Sequence, residues 1–254
     1  MGQQTRQEKI VSLVQDQGYI SIDDLAAHFK VTPQTMRRDI NALAKTNQIR
    51  RHHGGASCDS STSNVSYAQR QVLSHDAKHA IAQRIAAEIP DYASLFINIG
   101  TTTETVAKAL LQHSGLQIIT NNLNVATILS SKEDFTVIIA GGKIRSRDGG
   151  IMGEATIDFI SQFRVDYGII GISGIDPSDG SLLDYDYQEV RVAQSIIKNS
   201  RTIFLAADHA KFGRNAVVRL GNITQVNKLF TDQAPPQAIQ KLLIENNIDL
   251  EICS

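Results

Sequence analysis

Residues 31–55, VTPQTMRRDINALAKTNQIRRHHGG, decide the fold at the amino-terminal end of this chain. At about 100° per residue, Met36, Ile40 and Leu43 share one narrow face of a helix, which predicts that this face is buried. Thr32 is placed to cap the helix, and Pro33 suits its first turn. The face opposite the apolar one carries the polar side chains of Gln34, Arg38, Asn41 and Lys45. Because Gln and Arg pair bidentately with adenine and guanine edges in the major groove, the pattern predicts a DNA-recognition helix.

The residues before this helix predict the rest of a helix-turn-helix. An apolar stripe from Ile10 to Val14 indicates a first helix, which Gly18 is suited to end. Ser21 followed by Asp24 is typical of a capping box and predicts the start of a second helix. Residues 30–33 then form a short turn into the recognition helix. The alternative is a small helical bundle with a solvated charged face, but the agreement of caps, turn and polar face favours the helix-turn-helix.

Residues 49–56 predict a two-stranded wing after the recognition helix, since a strand-like start is followed by basic and imidazole side chains and by Gly54-Gly55. Tyr19 and Ile20 are a possible partner strand, and His53 belongs to the same basic turn. The side chains expected to contact DNA are those of Thr32, Gln34, Thr35, Arg37, Arg38, Asn41, Arg50, Arg51 and His52.

Positive charge is concentrated at the same end of the chain. The whole sequence has 25 Lys and Arg against 26 Asp and Glu, a net charge of −1. Residues 1–57 have a net charge of +3, and residues 30–53 hold six basic side chains against one acidic. A basic patch confined to one end of an otherwise acidic protein favours contact with nucleic-acid phosphates.

The sequence predicts two domains joined by a linker. Residues 57–66, SCDSSTSNVS, contain five serines and no apolar cluster, so we expect a DNA-binding domain over residues 1–57, a linker over 58–73 and a second domain over 74–254. Two cysteines, Cys58 and Cys253, are too few and too peripheral to indicate a disulfide framework or a metal site, and no cofactor is expected. No signal-peptide pattern follows Met1 and no apolar run approaches ~18 residues, so we expect a cytoplasmic chain without membrane contact.

From residue 74 onward, short apolar strands alternate with helix-period segments, which predicts a mostly parallel α/β sheet with helices on both faces. Strands are expected at residues 94–99, 116–120, 135–140, 167–172 and 202–207, with weaker ones at 228–231 and 250–252. Helices are expected at residues 77–89, 104–112, 125–131, 189–198 and 236–246. In such sheets ligands bind outside the carboxyl ends of the strands.

The first of these strand ends carries the sequence Gly100-Thr101-Thr102-Thr103-Glu104. A glycine that lets the backbone approach closely, a helix N-terminus and three hydroxyls together predict a phosphate cradle. It is not a nucleotide P-loop, because the Gly-x-x-x-x-Gly-Lys-Ser/Thr pattern is absent. An N-capping threonine after an ordinary strand explains the same residues equally well. The carboxylate of Glu104 also lies near the point where an anion would bind.

Polar residues and glycines follow the other predicted strands as well. Asp208 suits a sugar hydroxyl and Lys211 a phosphate, while Asp186 and Glu189 are able to accept from hydroxyls or to position Lys211. Each alone is more often a surface turn residue, but a shared position at one sheet edge favours a site. Arg145 and Arg147 are weaker candidates for ligand or subunit contact. The predicted ligand-binding residues are Gly100, Thr101, Thr102, Thr103, Asn121, Asn122, Gly141, Gly142, Asp186, Glu189, Asp208 and Lys211.

Longer motifs run through the whole chain. The first domain has Arg37-Arg38-Asp39 and RHHGGA, and the second has INIGTTTETVA, ITNNLNVA, AGGKIRSRDGGIMGEAT, GISGID and DHAKFGRNA. With these motifs the chain resembles the DeoR family of bacterial transcription regulators. The resemblance implies a winged helix-turn-helix followed by a sugar-phosphate sensor of ribose-5-phosphate isomerase-like fold. Because one recognition helix covers only a half-site, we also expect a symmetric homo-oligomer, a dimer or a tetramer.

The leading hypothesis is therefore a repressor, not an enzyme, that binds operator DNA and is released by a small phosphorylated metabolite. The resemblance implies glycerol 3-phosphate as this inducer and the genes of its metabolism as targets. One alternative is a repressor that responds to another sugar phosphate. The other is a sugar-phosphate isomerase-like enzyme fused to a DNA-binding domain, in which Asp208, Glu189 and Lys211 would be the candidate catalytic groups. No further catalytic constellation is evident, and a sensor requires binding without turnover.

Overall fold

The computed structural model describes residues 2–17, 19–46, 48–52, 54–57, 64 and 66–253, and at residues 15–17, 19, 50, 52 and 57 it describes the backbone alone. The chain divides into two compact units, Met1–Arg70 and Gln71–Ser254. Gly18, His53 and Cys58 lie outside the described residues, as does most of the first half of the expected linker. Within the second half of that linker, the backbone forms a short helix.

The first unit is the predicted helix-turn-helix with its wing. In chain order it consists of α1 (Gln3–Gln17), β1 (Tyr19–Ser21), α2 (Ile22–Phe29), α3 (Pro33–Lys45), β2 (Arg50–His52) and β3 (Gly55–Ser57). β3 lies between the other two strands and is antiparallel to both, so the residues before α2 do pair with the wing. The winged helix-turn-helix expected from the sequence is confirmed.

Local capping explains where α2 and α3 begin. The hydroxyl oxygen of Ser21 accepts from the backbone N–H of Asp24 at 3.0 Å, and the hydroxyl donates to the Asp24 carboxylate at 2.6 Å. The Thr32 side chain accepts in the same way from the backbone N–H of Thr35, with Pro33 in the first turn. At the end of α2, Lys30 adopts a left-handed conformation with φ of 53° and turns the chain toward α3.

The second unit begins with α4 (Tyr67–Val72), which spans the division between the units. Its strands are β4 (Ser94–Ile97), β5 (Gln117–Thr120), β6 (Thr136–Ile139), β7 (Lys143–Ile144), β8 (Ile151–Met152), β9 (Val165–Gly171), β10 (Gly174–Ile175), β11 (Ser181–Asp184), β12 (Ser200–Ala206), β13 (Val218–Asn222), β14 (Lys228–Thr231) and β15 (Asp249–Ile252). Its remaining α-helices are α5 (His75–Glu88), α6 (Thr101–Leu110), α7 (Leu123–Leu129), α8 (Glu154–Ser161), α9 (Tyr187–Lys198) and α10 (Gln237–Glu245).

A seven-stranded parallel sheet is the centre of this unit. Its strand order is β15-β14-β12-β9-β4-β5-β6, and every neighbouring pair is parallel. These are the seven strands expected from the apolar runs, so the mostly parallel α/β sheet is confirmed. All seven carboxyl ends therefore point to one edge.

Helices cover both faces of the sheet, as the continuous apolar strands predicted. Along β4, Leu95 and Ile97 pack into the cluster formed with α5, α6 and α7, whereas Phe96 packs into the cluster formed with α8, α9 and α10. The alternation follows from the two-residue period of a strand. Among the described residues, no helix is long and apolar enough to cross a membrane.

Four features of the second unit were not predicted. β7 and β8 form a separate two-stranded antiparallel hairpin, and β10, β11 and β13 form a three-stranded antiparallel sheet. α8 follows the hairpin directly. A helix was expected to start at Glu104, but α6 already begins at Thr101, so all three threonines lie in its first turn.

Candidate DNA interface and ligand site

The recognition helix α3 presents the polar face that the sequence predicted. Met36 and Ile40 are fully buried, whereas the side chains of Gln34, Arg37 and Arg38 are exposed. Among the other predicted contacts, Thr32 is exposed, and Thr35 and Asn41 are half-buried. The hydroxyls of Thr32 and Thr35 lie 3.0 Å apart and are engaged in the cap. The long side chains of the helix are therefore the ones positioned to reach a base edge or a phosphate.

A buried carboxylate on the recognition helix was not singled out from the sequence. Asp39 is 1 % exposed; its Oδ2 accepts from Nε of Arg6 at 2.7 Å and its Oδ1 accepts from Nε2 of Gln7 at 3.1 Å. Both donors come from α1, so the ion pair ties α1 to α3. It lines a groove of about 520 Å³ formed by Gln3, Arg6, Thr35, Arg38, Asp39, Asn41, Ala42 and Lys45. In the sequence, the only indication of the Arg6–Asp39 ion pair is that Asp39 is the single acidic residue in the basic stretch of residues 30–53.

The wing adds basic residues beside the recognition helix. Arg51 is exposed on β2 and is paired with Ala56 of β3. For Arg50 and His52 the structure describes the backbone in β2 but not the side chain. Their contacts with DNA, like those of the helix residues, stay predictions.

The Gly100–Thr103 segment follows β4 and opens α6 at the carboxyl edge of the sheet. Gly100 has φ of 143°, a backbone conformation that favours glycine, and the three threonines are at most 8 % exposed. The Thr103 hydroxyl donates to the backbone oxygens of Asn98 and Gly100, at 2.7 and 2.8 Å, so it stabilises the turn. The Thr102 hydroxyl has no protein partner among the described residues. The first N–H groups of α6 also lack partners within the helix.

The Glu104 carboxylate accepts hydrogen bonds from two asparagine side chains. Its Oε1 accepts from Nδ2 of Asn122 at 3.2 Å and from Nδ2 of Asn124 at 3.0 Å. Asn122 is fully buried and also caps α7, since its Oδ1 accepts from the N–H groups of Asn124 and Val125. Glu104 therefore links the loop after β4 to the loop after β5.

The other predicted residues at these strand ends are also engaged in local structure. Asn121 is fully buried and donates to the backbone oxygen of Ile151 at 3.2 Å. The backbone oxygen of Gly141 accepts from the Thr156 hydroxyl at 2.9 Å. Gly142 has φ of 149°, and a Cβ there would collide with the same hydroxyl. The two glycines thus let α8 approach β6 closely.

Arg145 is surrounded by three carboxylates. Its Nε and one terminal nitrogen pair with Asp148, both at 2.8 Å, and its other contacts are to Asp186 at 3.0 Å and Glu189 at 2.8 Å. Burial alone would lower the pKa of Arg145, but the hydrogen bond with Asp148 and the charges of Glu189 and Asp148 outweigh it and raise this pKa. Asp186 also caps α9. Asp186 and Glu189, predicted to accept from hydroxyls or to position Lys211, thus both contact Arg145. Arg147 is half-exposed and lies 3.6 Å from Asp186.

Asp208 and Lys211 follow β12 in a short 3₁₀ helix, His209–Lys211. Asp208 is 2 % exposed and caps this helix by accepting from the N–H of Ala210 at 3.0 Å. Asp232, at the end of β14, accepts from the backbone N–H of His209 at 2.7 Å and contacts its Nδ1 at 2.6 Å. The hydrogen bond to Asp232 raises the pKa of His209 above its usual value, although burial opposes the shift. This pair of His209 and Asp232 was not predicted from the sequence. The position of Asp232 directly after a strand is the one sequence feature that could have indicated it.

Two clefts lie beside these loops. One, of about 640 Å³, is lined by Lys143, Ile144, Arg145, Ser146, Met152, Gly153, Glu154, Asp186 and Gln188. The other, of about 240 Å³, lies between α5 and α6 and is lined by Gln71, His75, His79, Gln83, Thr101, Glu104, Thr105, Lys108 and Ala109. No group of three or more His, Cys, Asp or Glu side chains in the described part of the chain is arranged to hold a metal ion.

Comparison with known proteins gives matches over both units. Residues 6–62 match the model of the DeoR-like helix-turn-helix domain, and residues 73–233 match that of the DeoR C-terminal sensor domain. The glycerol-3-phosphate regulon repressor of Escherichia coli (strain K12) is 55 % identical over 253 residues, which cover 100 % of both chains. The protein of the same name from Haemophilus influenzae is 52 % identical and covers 100 % of this chain and 98 % of its own. Among solved structures, ribose 5-phosphate isomerase A of Neisseria gonorrhoeae aligns with a TM-score of 0.39 at 13 % identity, covering 53 % of this chain and 52 % of its own.

Proposed function

The chain belongs to the DeoR family, and on that premise we propose that it represses genes of glycerol 3-phosphate metabolism and leaves its operator when glycerol 3-phosphate binds. It is a DNA-binding transcriptional repressor with a helix-turn-helix domain and a sensor domain. The observation that carries the proposal is the full-length identity of 55 % with a repressor of that regulon. Since it acts on chromosomal DNA, the proposed place of action is the cytoplasm.

The inducer phosphate is assigned to the Gly100–Thr103 segment. The start of α6 offers backbone N–H groups and the positive end of the helix dipole, which together favour an anion. The Thr102 hydroxyl, without a protein partner among the described residues, supplies a further donor. The Glu104 carboxylate accepts from Asn122 and Asn124 through Oε1, so these amides hold it in a fixed position beside the proposed cradle.

Residues of the neighbouring strand ends complete the proposed site. Asp208 and Lys211 follow β12, which is separated from β4 by β9 alone in the parallel sheet. The Lys211 ammonium suits the phosphate as a point charge, and the Asp208 carboxylate suits the hydroxyls of the three-carbon chain. Asn121, Asn122, Gly141 and Gly142 shape the edge through their contacts with backbone and with α8.

The contacts of the acidic residues favour a sensor over an isomerase. Glu189 was one of the candidate catalytic groups, but its carboxylate is engaged in an ion pair with Arg145 at 2.8 Å. Asp208 caps the 3₁₀ helix at 2 % exposure. The homologues are named as transcriptional repressors, and we propose that this chain binds its ligand without turning it over.

Symmetric assembly completes the proposed mechanism. The exposed face of α3 reads only one half-site, so specific binding requires at least two copies on a two-fold symmetric operator. The inducer needs to favour the arrangement with low DNA affinity by a coupling free energy of about 1–3 kcal/mol.

One experiment tests operator binding, induction and turnover together. Fluorescently labelled DNA from promoters of glycerol 3-phosphate uptake and oxidation genes is titrated with the purified chain, with unrelated DNA of equal length as control. Glycerol 3-phosphate, glycerol and ribose 5-phosphate are then added while anisotropy reports DNA release and ³¹P NMR reports product formation. We expect release by glycerol 3-phosphate alone and no product. Release by ribose 5-phosphate instead would identify a different inducer, and conversion of either phosphate would contradict the absence of turnover.

A further inference from the structure

Arg6 is a cation of α1 that lines the groove beside the recognition helix. Its side chain is 13 % exposed, and its Nε donates to Asp39 at 2.7 Å. The second oxygen of Asp39 accepts from Gln7, so this carboxylate is both neutralised and hydrogen-bonded. In the described part of the chain, Nε is the only side-chain nitrogen of Arg6 that has a hydrogen-bond partner. The two terminal nitrogens of the guanidinium thus keep four N–H donors.

The walls of the groove are rich in donors. Arg38 and Lys45 are exposed cations on α3, and Asn41 contributes an amide. Asp39 is the single acidic residue of the lining, and its charge is balanced by Arg6. The groove therefore has a net positive charge and lies directly beside the helix face that is directed at base edges. When such a face enters the major groove, the flanking surface meets the sugar–phosphate backbone.

We propose that this groove binds a backbone phosphate of DNA, with the terminal guanidinium nitrogens of Arg6 and the ammonium of Lys45 as its donors. Asp39 is a positioning residue in this arrangement, because its bond with Nε restrains the guanidinium and leaves the two terminal nitrogens for the phosphate. A phosphate accepts bidentately from such an edge, which a Lys at the same place cannot reproduce. The first turns of α1 thus belong to the DNA interface along with α3 and the wing.

The dependence of DNA binding on salt distinguishes this role from a purely structural one. A phosphate contact releases condensed counterions, so each contact contributes about 0.9 to the slope of log affinity against log salt. A tie between two helices affects stability and affinity but leaves this slope unchanged. Between 50 and 200 mM salt, one contact corresponds to a factor of about 3.5 in affinity.

The test uses the full chain with Arg6→Gln, Arg6→Lys and, as matched control, Lys9→Gln. Lys9 is an exposed cation on the same helix that does not line the groove. Affinities for operator and for unrelated DNA are measured from 50 to 200 mM KCl. We expect Arg6→Gln to lower the slope by about 0.9 for each bound subunit, equally on both DNAs. Arg6→Lys should keep the slope with a weaker affinity, and Lys9→Gln should match the unaltered chain.

A second variant covers the case in which Arg6→Gln does not fold because the Asp39 carboxylate is left buried. Arg6→Met combined with Asp39→Leu replaces the ion pair by an apolar pair, which proteins often tolerate. Circular dichroism verifies folding before binding is measured. In this folded variant the slope should fall by the same amount. An unchanged slope in either neutral variant would overturn the proposal and leave Arg6 as a structural tie, as would an equal decrease with Lys9→Gln.

Discussion

Replacing Thr102 with valine should produce a repressor that no longer leaves its operator at ordinary inducer concentrations. The substitution keeps the volume and the branched shape of the side chain but removes its hydroxyl. Thr102 is 6 % exposed, and in the described structure its hydroxyl bonds to no protein group, so no native hydrogen bond is lost. Operator affinity without inducer should therefore stay unchanged.

The size of the effect follows from the bond that the hydroxyl would form. A hydrogen bond to a charged group such as a phosphate contributes about 1.5–3 kcal/mol. At 1.4 kcal/mol per factor of ten, the inducer concentration for half release should rise roughly 10- to 140-fold. The backbone N–H groups of α6 remain, so induction should be weakened and not abolished.

Two threonines of the same helix provide matched substitutions. The Thr105 hydroxyl bonds to the backbone oxygen of Thr101 at 2.9 Å, one turn into α6, so Thr105→Val removes a hydroxyl outside the proposed cradle. It should leave induction unchanged. Thr103→Val removes the bonds to Asn98 and Gly100 that shape the turn, so we expect a lower melting temperature as well as weaker induction.

The assay is release of labelled operator DNA, followed by anisotropy at fixed repressor and increasing glycerol 3-phosphate. Isothermal titration of the inducer without DNA separates ligand affinity from coupling. If Thr102→Val responds at the same inducer concentration as the unaltered chain, the phosphate binds elsewhere and the reasoning is refuted. The cleft lined by Lys143 and Arg145 would then be the next place to examine.

Four further outcomes are expected. Arg38→Ala should cost about 1–3 kcal/mol of operator affinity and relax the preference at one base pair. Arg37→Ala should instead lower the affinity for operator and for unrelated DNA alike, and binding to a set of operator variants measures both effects. Arg145→Met should lower the free energy of unfolding in urea by about 3–5 kcal/mol, because three carboxylates lose their cation. Asp232→Asn should lower the melting temperature most between pH 3.8 and 6.5, the ordinary pKa values of Asp and His. Because the pKa of His209 is raised in the folded state, its contribution to folding stability is complete below pH 6.5 and is lost as the pH rises through the folded pKa. Because the pKa of Asp232 is lowered, its contribution is complete above pH 3.8 and is lost as the pH falls through the folded pKa. Sedimentation at micromolar concentration should give a dimer or larger, and a monomer with full operator affinity would contradict symmetric assembly.

The sequence predicted elements wherever burial imposes a period on the chain. Five strands of the parallel sheet contain clear apolar runs, the edge strands β14 and β15 contain weaker ones, and α3 has a narrow apolar face with capping residues before it. By contrast, β7, β8 and β10 contain two residues each, too few for any period to be recognised. α6 was expected to begin only at Glu104, because β-branched threonines are weak helix formers. It begins three residues earlier, and the Thr103 hydroxyl stabilises this start by donating to the backbone oxygens of Asn98 and Gly100.

The candidate site was harder to predict because its contacts join distant segments. Asp186 and Glu189 were candidates to accept from hydroxyls or to position Lys211, but their contacts with Arg145, in the loop between β7 and β8, were not predicted. That hairpin has no sequence period, so the partner was not recognisable. Asp39 presents the same difficulty, since a carboxylate is usually exposed and its partner Arg6 lies 33 residues away. Strand ends can be located from sequence, whereas the pairs that form across them depend on loop geometry.

These pairs form one connected network along the edge of the sheet. Glu104 at the start of α6 accepts from Asn124, which also donates to the backbone oxygen of Asp148 at 3.2 Å. Asp148 pairs with Arg145, and Arg145 pairs with Glu189 on α9. The proposed phosphate cradle is thus joined to α9 by consecutive hydrogen bonds and ion pairs. A coupling free energy of about 1–3 kcal/mol, enough for induction, equals one or two such bonds. We therefore expect a phosphate at the proposed cradle to act on the rest of the sensor unit through this network, in which Glu104 is the link nearest to Thr102.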